Sequence, residues 1–278
     1  MKTPAPEIAG EVRMDVRSAE TNVEPSVRPP GGSGLVLVGD VHGHYEALAR
    51  RVAALPRTVA VVQVGDLGPL AAWAPLDRPV YFVRGNHDDL PALRGLATPA
   101  EVRPGLVYLP AGVYALGGMR VGALGGAESV DGPARARGVD WWPDEEGAQP
   151  EEFDRLLAAA RISRGVDVLV THTPPALVVG AMLRTPGPPG TSDDEAPHAG
   201  ADGGAAHGGD PPADERSIDA APSAVRVEQA WRMLGQPPLV CGHMHRPWRD
   251  GVVEVLGFLG VTLRTLWRGQ VRRPGGIR

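Results

Sequence analysis

The chain contains a single cysteine, Cys241, among its 278 residues. One cysteine excludes an intramolecular disulfide and is typical of a reducing compartment, so we expect a cytoplasmic protein. No apolar run approaches the roughly 20 residues that a membrane helix needs. Residues 1–34 also lack the apolar core of a secretory signal. We therefore expect neither membrane insertion nor export.

A basic excess is absent as well, because 28 Lys and Arg residues stand against 33 Asp and Glu residues, a net charge of −5. This excludes the general electrostatic footprint of a nucleic-acid-binding protein, although a nucleotide substrate stays open. Eight acidic and two basic residues lie between positions 181 and 222, among Gly, Pro and Ala. Such a segment buries too little apolar area to offset its ordering entropy, so we predict a disordered acidic insertion. Whether it binds a protein partner is left open.

The hydrophobic content of 42% is enough for the core of one large domain. Residues 1–33 are rich in Glu, Pro, Ser and Gly without a sustained period, which predicts a disordered N-terminal tail. Residues 271–278 form a basic C-terminal tail. We therefore predict one domain over residues 34–270, interrupted by the acidic insertion.

Five apolar, β-like runs each end in a turn or breaker that carries Asp, Asn or His. In chain order these polar residues are Asp40 and His42, Asp66, Asn86, His87 and Asp88, His172, and His243 and His245. The carboxyl ends of the strands in an open α/β sheet meet at one edge, so we expect these side chains to gather in one site. One such residue is usually a satisfied turn residue, but five strand ends of this kind favour a metal site. Imidazole and carboxylate suit Mn, Fe, Zn or Ni better than ions that prefer thiolates.

Further patterns indicate a second sheet and several helices. Between Leu106 and Leu124, short β-like runs alternate with glycine turns, which predicts antiparallel hairpins in a second or mixed sheet. Helical spacing predicts amphipathic helices after Tyr45, around residues 153–160 and around residues 227–234. The fold class is therefore α/β with a mixed, α+β character.

The ordered series D-x-H, G-D, G-N-H-D, H and G-H-x-H resembles that of the calcineurin-like metallophosphoesterase superfamily, over about Leu35 to Arg249. The resemblance implies two packed mixed β-sheets flanked by helices, with a dinuclear metal site at strand ends. It implies two divalent metal ions, with Mn²⁺ favoured and Fe, Zn, Ni or Mg as alternatives. The implied ligands are Asp40, His42, Asp66 and His245 for one ion, and Asp66, Asn86, His172 and His243 for the other, with Asp66 bridging.

The same resemblance implies a hydrolase that acts on phosphoric ester bonds. A hydroxide bridging the two ions would attack a phosphomonoester or phosphodiester substrate. His87 would protonate the leaving oxygen as general acid, and Asp88 would orient the imidazole. The alternative for Asp88 is a helix N-cap. Arg84 would bind the substrate phosphate through its guanidinium, unless it is simply solvated.

The motifs leave the substrate class open. The second motif lacks the second Asp and the Arg of the GDxxDRG sequence found in phosphoprotein phosphatases and symmetrical dinucleoside tetraphosphatases. The third ends in Asp88 where those enzymes usually have Glu. The opening motif and Arg84 nevertheless favour that branch, so a protein serine/threonine phosphatase or a dinucleotide polyphosphate hydrolase stays an alternative. The alternative of another class is a non-catalytic, metal-bearing scaffold with an acidic docking segment, against which the retention of His87 counts.

Trp141 and Trp142, with Arg135 and Arg137 upstream, mark a long loop. An exposed indole could stack on a base and a nearby arginine could meet phosphate, which would make the loop substrate-selective. We favour the alternative that the loop is anchored over the sheet. Cys241, within an apolar run, is interpreted as core filler.

Overall fold

The structure, a computed structural model, describes residues 34–185, 221–257 and 264–266. The predicted tails at 1–33 and 271–278 lie outside these residues, as does most of the predicted acidic insertion. Within the described residues, no helix combines the length and the apolar content needed to cross a membrane.

Twelve strands and five α-helices make up the described part of the chain. The strands are β1 (Gly34–Val38), β2 (Val59–Gln63), β3 (Val80–Phe82), β4 (Ala100–Arg103), β5 (Leu106–Tyr108), β6 (Gly112–Leu116), β7 (Met119–Leu124), β8 (Val168–Thr171), β9 (Leu239–Cys241), β10 (Trp248–Asp250), β11 (Val253–Val255) and β12 (Arg264–Leu266). The α-helices are α1 (Tyr45–Ala53), α2 (Leu90–Leu93), α3 (Pro150–Ile162), α4 (Ala176–Arg184) and α5 (Pro222–Met233). Short 3-10 helices lie at Leu70–Ala72 and Gly132–Ala134.

The strands form two six-stranded mixed sheets. The first has the order β12-β1-β2-β3-β5-β4, and the second has the order β10-β11-β9-β8-β7-β6. In the first sheet, β1, β2, β3 and β5 are parallel, and the edge strands β12 and β4 are antiparallel to their neighbours. In the second sheet, β11, β9, β8 and β7 are parallel, with antiparallel β10 and β6 at the edges.

The two sheets pack face to face, with helices on their outer faces. Alternate residues of β1 show this layering, because Leu35 and Leu37 pack into the core shared by both sheets. Val36 and Val38 pack instead into the layer beneath α1 and α2. A strand covered on both faces must be apolar at every position, which explains the uninterrupted run in this strand. The second sheet buries its outer face against α3, α4 and α5.

The predicted fold class, two packed mixed sheets flanked by helices, is confirmed. One detail of the prediction is wrong, because only β6 and β7 of the 106–124 region form a hairpin with each other. The run at Leu106 instead joins the first sheet, parallel to β3 and antiparallel to β4. The predicted acidic insertion also differs at its ends, since residues 181–184 belong to α4 and Pro222 belongs to α5.

Candidate metal centre

The turns that follow β1, β2 and β9 bring four of the predicted ligands together. One ligand atom from each of Asp40, His42, Asp66 and His245 lies within 4.8 Å of all the others. The Nε2 atoms of His42 and His245 are 3.2 Å apart. His42 Nε2 lies 3.5 Å from Asp66 Oδ2, and His245 Nε2 lies 3.4 Å from Asp40 Oδ2. This group of four, the first cluster, has the donor set of a transition-metal site.

A second cluster shares Asp66 with the first. Ligand atoms of Asp66, His172 and His243 also lie within 4.8 Å of one another. His172 Nε2 is 3.3 Å from Asp66 Oδ2 and 3.1 Å from Asn86 Oδ1. The structure thus gathers all seven predicted ligands at one edge of the two sheets, and the residues of the second cluster could hold another cation.

One carboxylate oxygen of Asp66 accepts a hydrogen bond, and the other makes none among the described residues. Its Oδ1 accepts a hydrogen bond of 2.8 Å from the backbone N–H of His87. Its Oδ2 is fully buried and makes no hydrogen bond among the described residues. This atom lies between His42 Nε2 and His172 Nε2, at 3.5 and 3.3 Å. A buried carboxylate oxygen without a hydrogen bond is costly, and a bound cation would remove that cost.

His172 is oriented for ligation by its other ring nitrogen, because Nδ1 lies 3.0 Å from the carbonyl oxygen of Val64 and can donate to it. Its Nε2 therefore faces Asp66 and Asn86, two acceptors. Burial lowers the pKa of His172, but the nearby carboxylates of Asp66, Asp40 and Asp88 together raise it to about 9. Burial and the neighbouring His172 lower the pKa of His243 to about 3, which keeps that imidazole neutral as metal ligation requires.

Four of the predicted ligands have left-handed backbone conformations, which non-glycine residues seldom adopt. Their φ angles are 45° at His42, 56° at Asp66, 70° at His243 and 51° at His245. Strain of this kind persists only where surrounding contacts hold it. One such contact is the hydrogen bond of 2.9 Å from the backbone N–H of His243 to Asp40 Oδ2. Gly242 is required beside it, because a Cβ atom there would overlap Asp40 Oδ1.

Asp88 has contacts different from those predicted. It is buried, and its carboxylate accepts backbone hydrogen bonds from Leu67 (2.8 Å), Gly68 (3.1 Å), Gly85 (2.7 Å) and Asp66 (3.2 Å). It therefore joins the second motif to the third and does not orient His87. The N-cap alternative is also wrong, because Asp89 caps α2 by accepting a hydrogen bond from the backbone N–H of Ala92. Burial and Asp66 raise the pKa of Asp88 to about 6.

The phosphate-binding role predicted for Arg84 is not supported by its contacts. The side chain is only 6% exposed. Its guanidinium donates to the carbonyl oxygens of Glu146 and Gly147, at 2.6 and 2.8 Å, and to the carboxylate of Glu152 at 2.7 Å. Arg84 therefore fastens the third motif to the turn before α3, and its donors are directed away from solvent.

His87 is a partly exposed imidazole beside the first cluster. Its ring centroid is 5.3 Å from that of His42, and its side chain is 30% exposed. Its Nε2 lies 3.6 Å from Asp131 Oδ2, so the nearest carboxylate partner comes from the loop after β7. The sequence did not mark Asp131, because no local pattern shows that β7 pairs with β8 as well as with β6. The parallel pairing of β7 with β8 brings the end of β7 to the same edge as His172.

Trp141 is held by contacts within its own loop, which agrees with an anchor but does not show packing over the sheet. Trp141 Nε1 donates to Glu146 Oε1 at 3.2 Å, and its indole packs against Gly132. Arg137 pairs with Asp144 at the surface. Arg135 turns inward, donating to Ser129 Oγ at 2.7 Å and to the carbonyl oxygen of Asn86 at 3.3 Å. Ser129 and Glu146, which no sequence motif marks, thus lie beside a predicted metal ligand.

Comparison with known proteins adds a family to this geometry. Residues 35–247 match the family model described as Calcineurin-like phosphoesterase. No curated protein sequence matches the chain. Ten chains of solved structures match it. One is the sulfate thiohydrolase SoxB of Thermus thermophilus in complex with glycerol, with a TM-score of 0.38 and 12% identity. That match covers 86% of this chain and 57% of the SoxB chain, so this chain spans less than two thirds of that protein.

Proposed function

Because the chain belongs to the calcineurin-like phosphoesterase family, we propose that it is a hydrolase of phosphate monoesters or diesters that works with two divalent cations. The observation that carries the proposal is the buried Oδ2 of Asp66, which lies 3.5 and 3.3 Å from one imidazole of each cluster and makes no hydrogen bond among the described residues. A shared carboxylate oxygen in this position is suited to bridging two cations.

The proposed ligands are those that the sequence predicts, with Asp66 common to both sets. They are Asp40, His42, Asp66 and His245 for one cation, and Asp66, Asn86, His172 and His243 for the other. We favour Mn²⁺, since imidazole, carboxylate and amide oxygen suit borderline and hard ions. When bound, two cations would stabilise charge on the phosphoryl oxygens and lower the pKa of the attacking water.

The protein's own residues contribute position and a proton. The hydrogen bond from His243 N–H to Asp40 and the contact of His172 Nδ1 with Val64 fix ligand orientation before substrate arrives. His87, partly exposed beside the first cluster, would give a proton to the leaving oxygen. Asp131, whose Oδ2 lies 3.6 Å from His87 Nε2, would orient that imidazole.

The burial of Arg84 weakens the alternative that the chain is a protein serine/threonine phosphatase or a dinucleotide polyphosphate hydrolase. Arg84 favoured the branch of phosphoprotein phosphatases and dinucleotide polyphosphate hydrolases, but its guanidinium is committed to Glu152 and to two carbonyl oxygens. A metal-bearing scaffold without activity would have no use for a partly exposed His87 next to the metal ligands. A small phosphate ester is therefore the substrate class that we favour.

The test is hydrolysis of p-nitrophenyl phosphate and of bis(p-nitrophenyl) phosphate by the purified chain. Each substrate is assayed with Mn²⁺, Ni²⁺, Mg²⁺ and Zn²⁺ in turn, before and after treatment with a chelator. We expect turnover that requires a divalent cation and returns when the cation is restored. A chain that binds two cations and yet hydrolyses no member of a broad phosphate-ester panel would support the scaffold instead.

A further inference from the structure

The two ends of the Asn86 side-chain amide face different parts of the molecule. Its Oδ1 lies 3.1 Å from His172 Nε2, inside the second cluster. Its Nδ2 donates to Ser129 Oγ at 3.0 Å, outside the cluster. Only the oxygen of an amide can bind a cation, so metal binding at this position depends on which end faces inward.

The hydroxyl of Ser129 determines the orientation of the Asn86 amide, because it has three partners and can make only a fixed number of hydrogen bonds as donor and as acceptor. Besides Asn86, its Oγ lies 2.8 Å from Glu146 Oε2 and 2.7 Å from Arg135 Nη1. A hydroxyl donates one hydrogen bond and accepts two, and a guanidinium can only donate. The single hydroxyl hydrogen therefore goes to the carboxylate of Glu146. Both lone pairs then accept, so Asn86 must present its NH₂ group to Ser129 and its oxygen to the cluster.

Glu146 is itself held in place. It is 2% exposed, and its Oε1 accepts from the backbone N–H of Ser129 at 2.7 Å and from Trp141 Nε1 at 3.2 Å. The main chain of this turn is fixed to the third motif by Arg84, which donates to the carbonyl oxygen of Glu146 at 2.6 Å. The arrangement therefore runs from a buried carboxylate through one hydroxyl to the amide of a predicted ligand.

We propose that Glu146 and Ser129 are positioning residues that hold the amide oxygen of Asn86 towards the second cation. This inference rests on the proposed metal centre. It also gives the loop that contains Trp141 a structural role. Trp141 donates a hydrogen bond to Glu146, and Arg135 donates one to Ser129. Partners that orient a ligand in this way typically contribute about 10–100-fold to metal affinity.

Two substitutions test the proposal by different routes. Ser129→Ala removes the acceptor that holds the NH₂ group, so the amide is free to rotate. Glu146→Gln keeps the shape of the side chain. The oxygen of the new amide must occupy the Oε1 position, because two N–H groups donate to it there. The NH₂ group of the new amide therefore faces Ser129 Oγ, which then has three donors around it but only two lone pairs to accept them. Ser129→Thr keeps the hydroxyl and should restore the wild-type behaviour.

Ser223→Ala is the matched control. Ser223 is also buried, and its hydroxyl donates to Glu128 at 2.7 Å and accepts from the backbone N–H of Ala148 at 2.7 Å. Its loss should disturb the same loop without touching a predicted ligand. Thermal unfolding of each variant separates a loss of stability from a loss of metal binding.

The experiment is a calorimetric titration of each full-length variant with Mn²⁺ alone. We expect Ser129→Ala and Glu146→Gln to weaken one of the two sites about 10–100-fold, and Ser129→Thr and Ser223→Ala to bind both ions as the wild type does. Wild-type affinity at both sites in Ser129→Ala and Glu146→Gln would overturn the proposal, as would an equal loss in Ser223→Ala. If the wild type binds two ions but hydrolyses no phosphate ester, the proposed function fails while this result still stands.

Discussion

Asp40 accepts a hydrogen bond of 2.9 Å from the backbone N–H of His243, a residue 203 positions later in the chain. This contact joins the turn after the first strand to the turn after the ninth. It holds His243 in a left-handed conformation, with φ of 70°, and directs its ring towards Asp66 and His172. A side chain that is itself a predicted ligand therefore also shapes the backbone of the opposite half of the site.

Asp66→Asn should remove metal from both clusters at once. The substitution replaces one carboxylate oxygen with an NH₂ group, and Oδ2 is the atom that faces both His42 and His172. Metal content after reconstitution with Mn²⁺ and gel filtration, measured by mass spectrometry, should fall from two ions per chain to less than one. Asp144→Asn, at an exposed carboxylate paired with Arg137, is the control and should keep both ions. Two tightly held ions in Asp66→Asn would refute the shared-ligand assignment.

His87→Ala should lower turnover about 10²–10⁴-fold while leaving metal content unchanged. The bond from residue 87 to Asp66 Oδ1 comes from the backbone N–H, so the substitution does not remove it. The loss should be largest for substrates with poor leaving groups, which need a proton most, and small for 2,4-dinitrophenyl phosphate. Loss of bound metal in this variant would show instead that the ring supports the site structurally.

Asp131→Asn should reduce turnover only when His87 is present. Its Oδ2 lies 3.6 Å from His87 Nε2, and a neutral amide would orient the imidazole less well. A double-mutant cycle provides the measurement, because coupled residues give non-additive effects. Asp131→Asn should lower turnover less than His87→Ala does. Added to His87→Ala in the double variant, it should cause no further loss. Additive losses would show that Asp131 acts elsewhere.

Arg84→Ala should destabilise the fold rather than weaken substrate binding. Removing one partner of a buried ion pair typically costs about 3–5 kcal/mol, and here Glu152 and two carbonyl oxygens would also lose their donor. Urea denaturation gives the free energy of unfolding. Arg94→Ala is the control, since its pair with Glu145 is about half exposed and should matter little. A raised KM with unchanged stability would restore the phosphate-binding role.

Cation binding should release a proton and strengthen as the pH rises from 7 towards 9. Burial lowers the pKa of His172, but the carboxylates of Asp66, Asp40 and Asp88 together raise it to about 9, so we expect the imidazole to be protonated at pH 7 before a cation arrives. A protonated imidazole cannot be a ligand, so proton and cation compete below that pKa. Calorimetry at pH 7 in buffers of different ionisation enthalpy measures the protons released. Binding without proton release, and with affinity independent of pH, would contradict this.

The gathering of the seven predicted ligands in one place could be expected from the sequence, because each closely follows an apolar strand. The architecture was also predictable, since buried parallel strands such as β1 read as uninterrupted apolar runs. The roles of Arg84 and Asp88 could not be predicted. Both follow β3, yet one side chain turns towards α3 and the other towards the second motif. Their direction depends on packing partners that lie distant in the chain.

Three further residues beside the site could not be predicted from the sequence, for a different reason. They are Ser129, Asp131 and Glu146. They lie in a long loop without a periodic pattern, and they approach the site only because β7 pairs in parallel with β8. Strand pairing of this kind is set by the tertiary fold and leaves no mark on the local sequence. Trp141 was the one visible signal in the loop, and it indicated an anchor without indicating what the anchor supports.

The most direct test of the account is the rate of phosphate-ester hydrolysis measured against the number of Mn²⁺ ions bound per chain. The metal-free protein is titrated with Mn²⁺, and bound metal and turnover of bis(p-nitrophenyl) phosphate and p-nitrophenyl phosphate are followed in the same samples. The account predicts little turnover with one ion and full turnover when the second has bound. Full turnover with a single ion, or none when two are bound, would contradict it.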